Sequence, residues 1–369
     1  MIGTETFSPD INGAARFTQR LVWGLRRAGH QVTVVAPAKR LGSSRNVQRD
    51  PAFYGVPSLP IPGYAPYRMS VSVLARGYAD RVVAKVQPDV IHIQNHFGTG
   101  RSLAAIARQR RIPLVATNHF VPENFAGHIH LPAPLKRRAI DWEWNDVAHV
   151  LNRAAVVTAP TRVAASLLRS HGLRTELRVI SGGIDLSEFG GEDNVSRPPR
   201  PDSDARTCLF VGRLEPEKHV DELIRALPLA RTRLDLRLVV VGDGTLLDEL
   251  RNLAREQDVE PYVTFAGFVS DGALRQHYQQ CDVFCMPGTA ELQCLAALEA
   301  MATGRPVVAA DALALPELIE PGTNGYIYHP GDVAELAERL VDCLADPDET
   351  ARLGQNSHET AARHAFERT

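Results

Sequence analysis

No stretch of about 18 consecutive apolar residues occurs in this sequence, and no basic segment leading into an apolar one opens it. Neither a membrane span nor a signal peptide is therefore predicted, and any membrane contact has to be peripheral. Charge of one sign is also lacking: 41 basic against 43 acidic residues give a formal net charge of -2, which excludes a basic nucleic-acid binder. The five cysteines, Cys208, Cys281, Cys285, Cys294 and Cys343, are odd in number and lack the paired spacing of a zinc site or a disulfide framework. A reducing, cytoplasmic compartment fits them. The phosphate loop G-x-x-x-x-G-K-[ST] is absent, which removes the nucleotide hydrolases built on it. The dinucleotide fingerprint G-x-G-x-x-G is approached only at 241–250, where Gly242 and Gly244 stand but Leu247 replaces the third glycine. A nicotinamide enzyme is disfavoured for that reason.

What is present is a rhythm. At 369 residues the chain exceeds what one hydrophobic core usually serves, and two domains are expected. Short β-branched runs at 31–37, 88–94, 113–119, 154–160 and 177–181 alternate with longer amphipathic stretches, the pattern of parallel βαβ units. A Pro- and Ser-rich segment at 196–206 interrupts it, and the rhythm restarts with runs at 207–212, 237–242, 262–267, 282–287 and 306–310. The expected organisation is an α/β protein with two doubly wound, Rossmann-like domains, 1–195 and 207–369, joined by a linker and leaving a cleft between the carboxyl edges of their sheets.

The segment PGTAELQCLAALEAMATGRPVVAAD (287–311) concentrates candidate chemistry. Glu291 and Glu299 are eight positions apart, so on one helix they would lie about 80° apart in rotation and about 12 Å apart along the axis. They could then grip two parts of an extended ligand, but not share a proton or a metal. Glu291 is expected to precede or open the helix, with Glu299 inside it. The helix N-terminus between them is a seat for a diphosphate. For a lone pair the plainer reading is a dipole-favoured carboxylate and a solvated one. Arg213 and Lys218 in FVGRLEPEKHVDEL (210–223) change that balance. Two cations at the carboxyl end of a strand stand where ligands bind in open α/β sheets, although either alone reads as a surface salt link. In the first half, Asn12-Gly13 lies between a truncated strand and a helix, where glycine lets a backbone approach a phosphate; a simple helix cap reads equally well. His119 and His96 follow strands, with His119 the better substrate contact of the two. Asp202-Ser203-Asp204 falls in the linker and reads as solvated charge. Cys281 and Cys285 flank a strand and read as buried small hydrophobes.

In order and spacing, GRLEPEKH (212–219), VTFAGFV (263–269), Glu291 with Glu299, EAMATGRPVV (299–308) and NGYIYHPGD (324–332) resemble the donor-binding half of the retaining glycosyltransferases of family 4. TETFSPDINGAAR (4–16), GHQVTVVAP (29–37), PDVIHIQNH (88–96) and SGGIDLSEF (181–189) resemble the rest of the same family, so the likeness runs over nearly the whole chain. The resemblance implies the GT-B fold and transfer of a hexose from a nucleotide sugar, without a metal or other cofactor. It implies that Gly13, Arg213 and Lys218 hold the diphosphate, that Glu291 and His119 contact the transferred hexose, and that Glu299 binds the ribose. The turn Gly267-Phe268-Val269 would receive the base, and the amides near Cys294 and Leu295 would face the phosphates. The leaving phosphate would help to deprotonate the acceptor on the same face of the sugar.

Within the family, TNHFVPENF (117–125) and TAELQCLAALEAMA (289–302) look most like bacterial enzymes that glycosylate diacylglycerol or glycolipids, which implies a lipid acceptor. LPAPLKRRAIDWEWNDV (131–147) combines Lys136, Arg137 and Arg138 with Trp142 and Trp144, as an interfacial helix does, against the charges of Asp141, Glu143 and Asp146. YAPYRMSVSVLARGYADRVV (64–83) reads as a second amphipathic helix. Three features depart from the family pattern: a short first strand, Gly288 and Gln293 where serine and phenylalanine are usual, and an end at AARHAFERT where relatives continue into a further helix. An epimerase of nucleotide sugars and a non-catalytic donor binder are the competing readings.

Overall fold

The computed structural model describes residues 1–8, 10, 12–38, 52–60, 68–123, 132–189 and 205–368. Two compact units divide the chain, Met1–Ile180 and Ser181–Thr369. The proposed linker, with Asp202-Ser203-Asp204, lies almost wholly outside the described residues.

The first unit is built on seven parallel strands: β1 (Ile2–Gly3), β2 (Val34–Pro37), β3 (Phe53–Val56), β6 (Ile91–Ile93), β7 (Leu114–Thr117), β8 (Val156–Ala159) and β9 (Glu176–Val179). Their spatial order is β3-β2-β1-β6-β7-β8-β9, so the winding reverses between β1 and β6. A small antiparallel pair, β4 (Ser58–Pro60) with β5 (Arg68–Ser70), stands apart. Helices α1 (Gly13–Arg27), α2 (Ser72–Val86), α3 (Gly98–Arg110), α4 (Ala133–Leu151), α5 (Arg162–Ser170) complete the unit. Two sequence expectations need correction here. The stretch 64–83 is no single helix, because Arg68–Ser70 is the strand β5 and Val71 leads into α2. Trp144 is no interfacial anchor: it is 1% exposed, stacks on His171 at 4.3 Å and donates its indole N–H to Glu123 at 3.1 Å.

The second unit opens with α6 (Leu186–Phe189), and Ile184 and Phe189 of SGGIDLSEF pack into its core. Its six strands, β10 (Arg206–Val211), β11 (Leu236–Val241), β12 (Val263–Gly267), β13 (Val283–Met286), β14 (Val307–Ala310) and β15 (Gly325–Tyr328), are all parallel in the order β12-β11-β10-β13-β14-β15. That is the strand order of the dinucleotide-binding fold, with its reversal between β10 and β13. Helices α7 (Val220–Arg231), α8 (Leu247–Glu256), α9 (Asp271–Gln280), α10 (Leu295–Ala302), α11 (Leu315–Leu318), α12 (Val333–Leu344) and α13 (Pro347–Arg363) flank the sheet. β13 and β14 are buried along their whole length, as strands covered on both faces must be. All five cysteines are buried and none is in a disulfide; they fill space between sheet and helices.

Gly242 shows why the glycine-rich turn survives without the dinucleotide fingerprint. Its φ is +138°, and a Cβ there would lie 1.8 Å from the carbonyl oxygen of Gly212. The β11 turn thus presses backbone to backbone on the turn after β10, and Glu215 ties the two by accepting from the Thr245 hydroxyl at 2.7 Å.

Candidate functional site

In open α/β sheets ligands settle at the carboxyl ends of strands, where the winding reverses. In the second unit that point is flanked by the loops after β10 and β13. The first loop carries Arg213 and Lys218, and the second carries Gly288, Glu291 and Gln293. The fold therefore brings together residues more than 70 positions apart. The Lys218 ammonium donates to Glu291 Oε1 in a close ion pair, with side chains 16% and 14% exposed. Burial works against the ammonium, but the charge and hydrogen bond of Glu291 more than offset it, and the Lys218 pKa ends above its ordinary value. Lys218 is thus cationic throughout the physiological range. Arg213 donates to Glu217 at 2.8 Å, and the Thr289 amide donates to the Glu217 carbonyl at 3.1 Å, which ties the two loops together. Gly288 sits tightly among them: a Cβ would meet the Met286 sulfur at 3.2 Å and Lys218 Cδ at 3.4 Å.

The helix after Glu291 is shorter than the sequence spacing suggests. Cys294 has φ +41°, a left-handed turn that holds α10 to Leu295–Ala302. Only Glu299 is helical, so the expected offset of two carboxylates along one helix does not hold. Nor is Glu299 a solvated residue: it is 3% exposed and accepts from the Tyr278 hydroxyl at 3.0 Å. Cys294 is buried, and burial first, then the charge of Glu291, push its thiol well above the usual range. It is a packed thiol, not a nucleophile. Gln293 donates to Ser181 Oγ at 2.5 Å and accepts from the Gly182 amide at 2.7 Å, a link the sequence did not reveal. The turn at Gly267 has φ +64°, leaves Phe268 65% exposed and half-buries Val269.

In the first unit the reversal lies between β1 and β6. Gly13 begins α1, capped by Asn12, whose side chain accepts from the Ala15 amide at 2.8 Å. Thr6 donates to the same Asn12 oxygen at 3.3 Å. Glu5 anchors this loop: its carboxylate accepts from the Thr99 amide, in the first turn of α3, and from the Ser70 amide and hydroxyl at 3.0 and 2.6 Å. Burial raises its pKa even so.

His119 lies two residues beyond β7, its ring tilted over Phe17 of α1 at 4.6 Å, with Nε2 2.9 Å from Gln94 Oε1. Burial, helped by nearby His92, pushes its pKa down to about 3, so the imidazole is neutral at ordinary pH. His92 bonds Thr117 Oγ1 at 2.7 Å, and burial pushes its pKa down to about 4. His96, the weaker histidine candidate, is 1% exposed and bonds Glu143 at 2.7 Å. Among the described residues His96, Glu143 and Asp146 form the group whose ligand atoms come within 4.8 Å of one another. Arg101 pairs directly with Asp146, and His96 bonds Glu143, so these side chains already hold one another in a polar cluster.

Among the described residues no helix is long and apolar enough to cross a membrane. On α4 the surface-facing residues Leu135 and Trp142 are 50% and 66% exposed, and Arg137 and Arg138 are exposed beside them.

Comparison with known proteins agrees with this layout. Residues 11–188 match the model described as Glycosyltransferase Family 4, and residues 192–360 the model described as Glycosyl transferases group 1. The GDP-mannose-dependent alpha-mannosyltransferase of Mycolicibacterium smegmatis is 32% identical over 340 residues, 88% of this chain and 83% of that protein. The alpha-monoglucosyldiacylglycerol synthase of Streptococcus pneumoniae is 26% identical over 357 residues, 94% of this chain and 78% of that one. Among solved structures, the sucrose-phosphate synthase of Thermosynechococcus elongatus superposes with a TM-score of 0.81 at 21% identity, covering 99% of this chain and 95% of that one. HepE of Anabaena, in complex with UDP and glucose, gives 0.75 at 24% identity, with the same shares of the two chains covered. With two Rossmann-like parallel sheets of the GT-B class and relatives of this closeness, the chain belongs to glycosyltransferase family 4.

Proposed function

We propose that the protein moves a hexose from a nucleotide sugar to a lipid or glycolipid acceptor, with retention at the anomeric carbon and without a metal. The observation that carries this reading is the Lys218–Glu291 pair, built from two loops at the winding reversal of the second sheet. Arg213 and Lys218 bind the diphosphate and stabilise the negative charge that develops as it leaves, a task a divalent ion serves in other transferases. The first amides of α10, at Cys294 and Leu295, add the positive end of a helix dipole, and Gly13 admits a phosphate to the start of α1. Glu291 and His119 take hydroxyls of the hexose. Glu299, its carboxylate fixed by Tyr278, takes the ribose, and the Gly267-Phe268-Val269 turn takes the base. Glu291 orients the sugar rather than attacking it, while the departing phosphate accepts the proton of the incoming hydroxyl on the same face.

The named relatives support a glycolipid acceptor: one is a mannosyltransferase that depends on GDP-mannose and another a synthase of monoglucosyldiacylglycerol. The exposed face of α4, with Leu135, Arg137, Arg138 and Trp142, suits peripheral contact with the anionic cytoplasmic face of a membrane. The test is a panel of UDP-glucose, UDP-galactose, GDP-mannose and UDP-N-acetylglucosamine, read by nucleotide release and product analysis with and without diacylglycerol vesicles and with chelator present. Selective release that needs vesicles, survives chelator and yields an α-linked glycolipid supports every part of the proposal. Loss of release in chelator overturns metal independence, and an isomerised donor without glycoside redirects the reading to an epimerase.

A further inference from the structure

Gln94 follows β6 and is 1% exposed, yet among the described residues half of its amide has no partner. Its Oε1 lies 2.9 Å from His119 Nε2, whereas its Nε2 is buried with no hydrogen-bond partner among the described residues. A residue kept for stability would satisfy both ends, because a buried donor without an acceptor is a net cost to folding. Among the described residues the side-chain bond that Gln94 makes is the one to His119, and it points to what Gln94 is kept for. With Oε1 as acceptor, His119 Nε2 must carry the proton, and the lone pair of the ring falls on Nδ1. The Phe17 ring against the imidazole restricts its rotation from the other side.

We propose that Gln94 is a positioning residue that holds His119 as its Nε2–H tautomer, so that Nδ1 accepts a hydrogen bond from a hydroxyl of the transferred sugar. The inference rests on the assignment of His119 to the hexose made above, and it adds a selectivity to that assignment. A hydroxyl can donate to a lone pair, whereas a carboxylate at the same place presents lone pair to lone pair. When the hydroxyl on Nδ1 is the one at C6, the site favours a neutral hexose over the corresponding uronic acid. The depressed pKa of His119 agrees, since a neutral ring makes no ion pair with a carboxylate.

The experiment compares wild type, Gln94→Met and His119→Ala with UDP-glucose, UDP-glucuronic acid and GDP-mannose, and follows the tautomer of His119 by long-range 1H–15N correlation in histidine-labelled protein. Wild type should show the Nε2–H form. Gln94→Met, which fills the same volume without the orphaned amide, should melt no lower than wild type, lose that single tautomer, and raise KM for the neutral donor that wild type uses by about tenfold with little change in kcat. A Nδ1–H form in the wild type, or an unaltered tautomer and KM in Gln94→Met, overturns the proposal, as does equal use of the glucuronic acid donor. His119→Ala separates the two layers: if it leaves KM for the neutral donor unchanged, the assignment of His119 to the hexose is what has failed.

Discussion

Lys218 with Glu291 in the second unit and His119 with Gln94 in the first are both two-residue assemblies at the carboxyl ends of parallel strands, but they are built from opposite electrostatics. The first is a close ion pair between two nearly buried side chains, in which a carboxylate keeps an ammonium charged against the penalty of burial. The second is a neutral hydrogen bond between an imidazole that burial keeps unprotonated and an amide. Charge suits a ligand whose own charge changes during reaction, whereas neutral hydrogen bonds suit hydroxyls whose charge does not. Under the proposed function the charged assembly, through Lys218, serves the leaving diphosphate, and the neutral one, through His119, serves a hydroxyl of the sugar.

The sharpest way to break that comparison is to neutralise each assembly in turn. Lys218→Met and Glu291→Gln should each lower kcat by about two to three orders of magnitude with the far-ultraviolet dichroism unchanged, because the first removes charge stabilisation of the leaving diphosphate and the second removes the carboxylate that orients the sugar. His119→Gln should cost only about tenfold in kcat/KM, the scale of one neutral hydrogen bond. Steady-state kinetics on the three variants decides the matter, and equal losses on both sides would remove the distinction. Glu299→Ala probes stability instead: it removes the carboxylate that accepts from the buried Tyr278 hydroxyl and should lower the unfolding free energy by about 1–3 kcal/mol in denaturant titration.

Acid should separate the assemblies more gently. His92 and His119 have folded pKa values of about 4 and about 3, below the usual 6.5, so the unfolded chain binds more protons than the folded one between those limits. Stability from these residues is fully present above pH 6.5 and is lost as pH falls toward 4 and then 3. The melting temperature should drop across that window, and the drop should shrink in His92→Asn and His119→Gln. The smallest expected effect is at Trp142, which is 66% exposed: Trp142→Ala should change stability by less than about 0.5 kcal/mol while weakening sedimentation with anionic vesicles. Unaltered sedimentation would remove α4 from the proposed membrane contact.

Much of the architecture was legible beforehand. The run DVFCMP is strand β13 because a strand buried on both faces leaves a continuous apolar run, and RLVVVG is strand β11, more exposed on one face at Arg237 and Val239. Strands β3, β4, β5 and β15 were not anticipated, since each is only three or four residues long and carries Gly, Pro, Ser or Arg. Trp144 was misread because an aromatic beside cations looks alike on either face of a helix, and only the packing against His171 shows which face is inside. The geometry of Glu291 and Glu299 was misread for a related reason. Nothing in the helix-forming run LQCLAALEAMA announces that Cys294 takes a left-handed turn, which the close packing of this loop imposes.

The sequence by itself determined the two-sheet α/β class, the family, and which side chains are chemically equipped for the site, because hydrophobic period and motif spacing are local properties of the chain. Only the tertiary structure decided that Lys218 meets Glu291, that Glu299 is held by Tyr278, and that Gln94 bonds His119. Those partners are 73, 21 and 25 residues apart, and parallel strand order, which no local pattern encodes, sets which loops become neighbours.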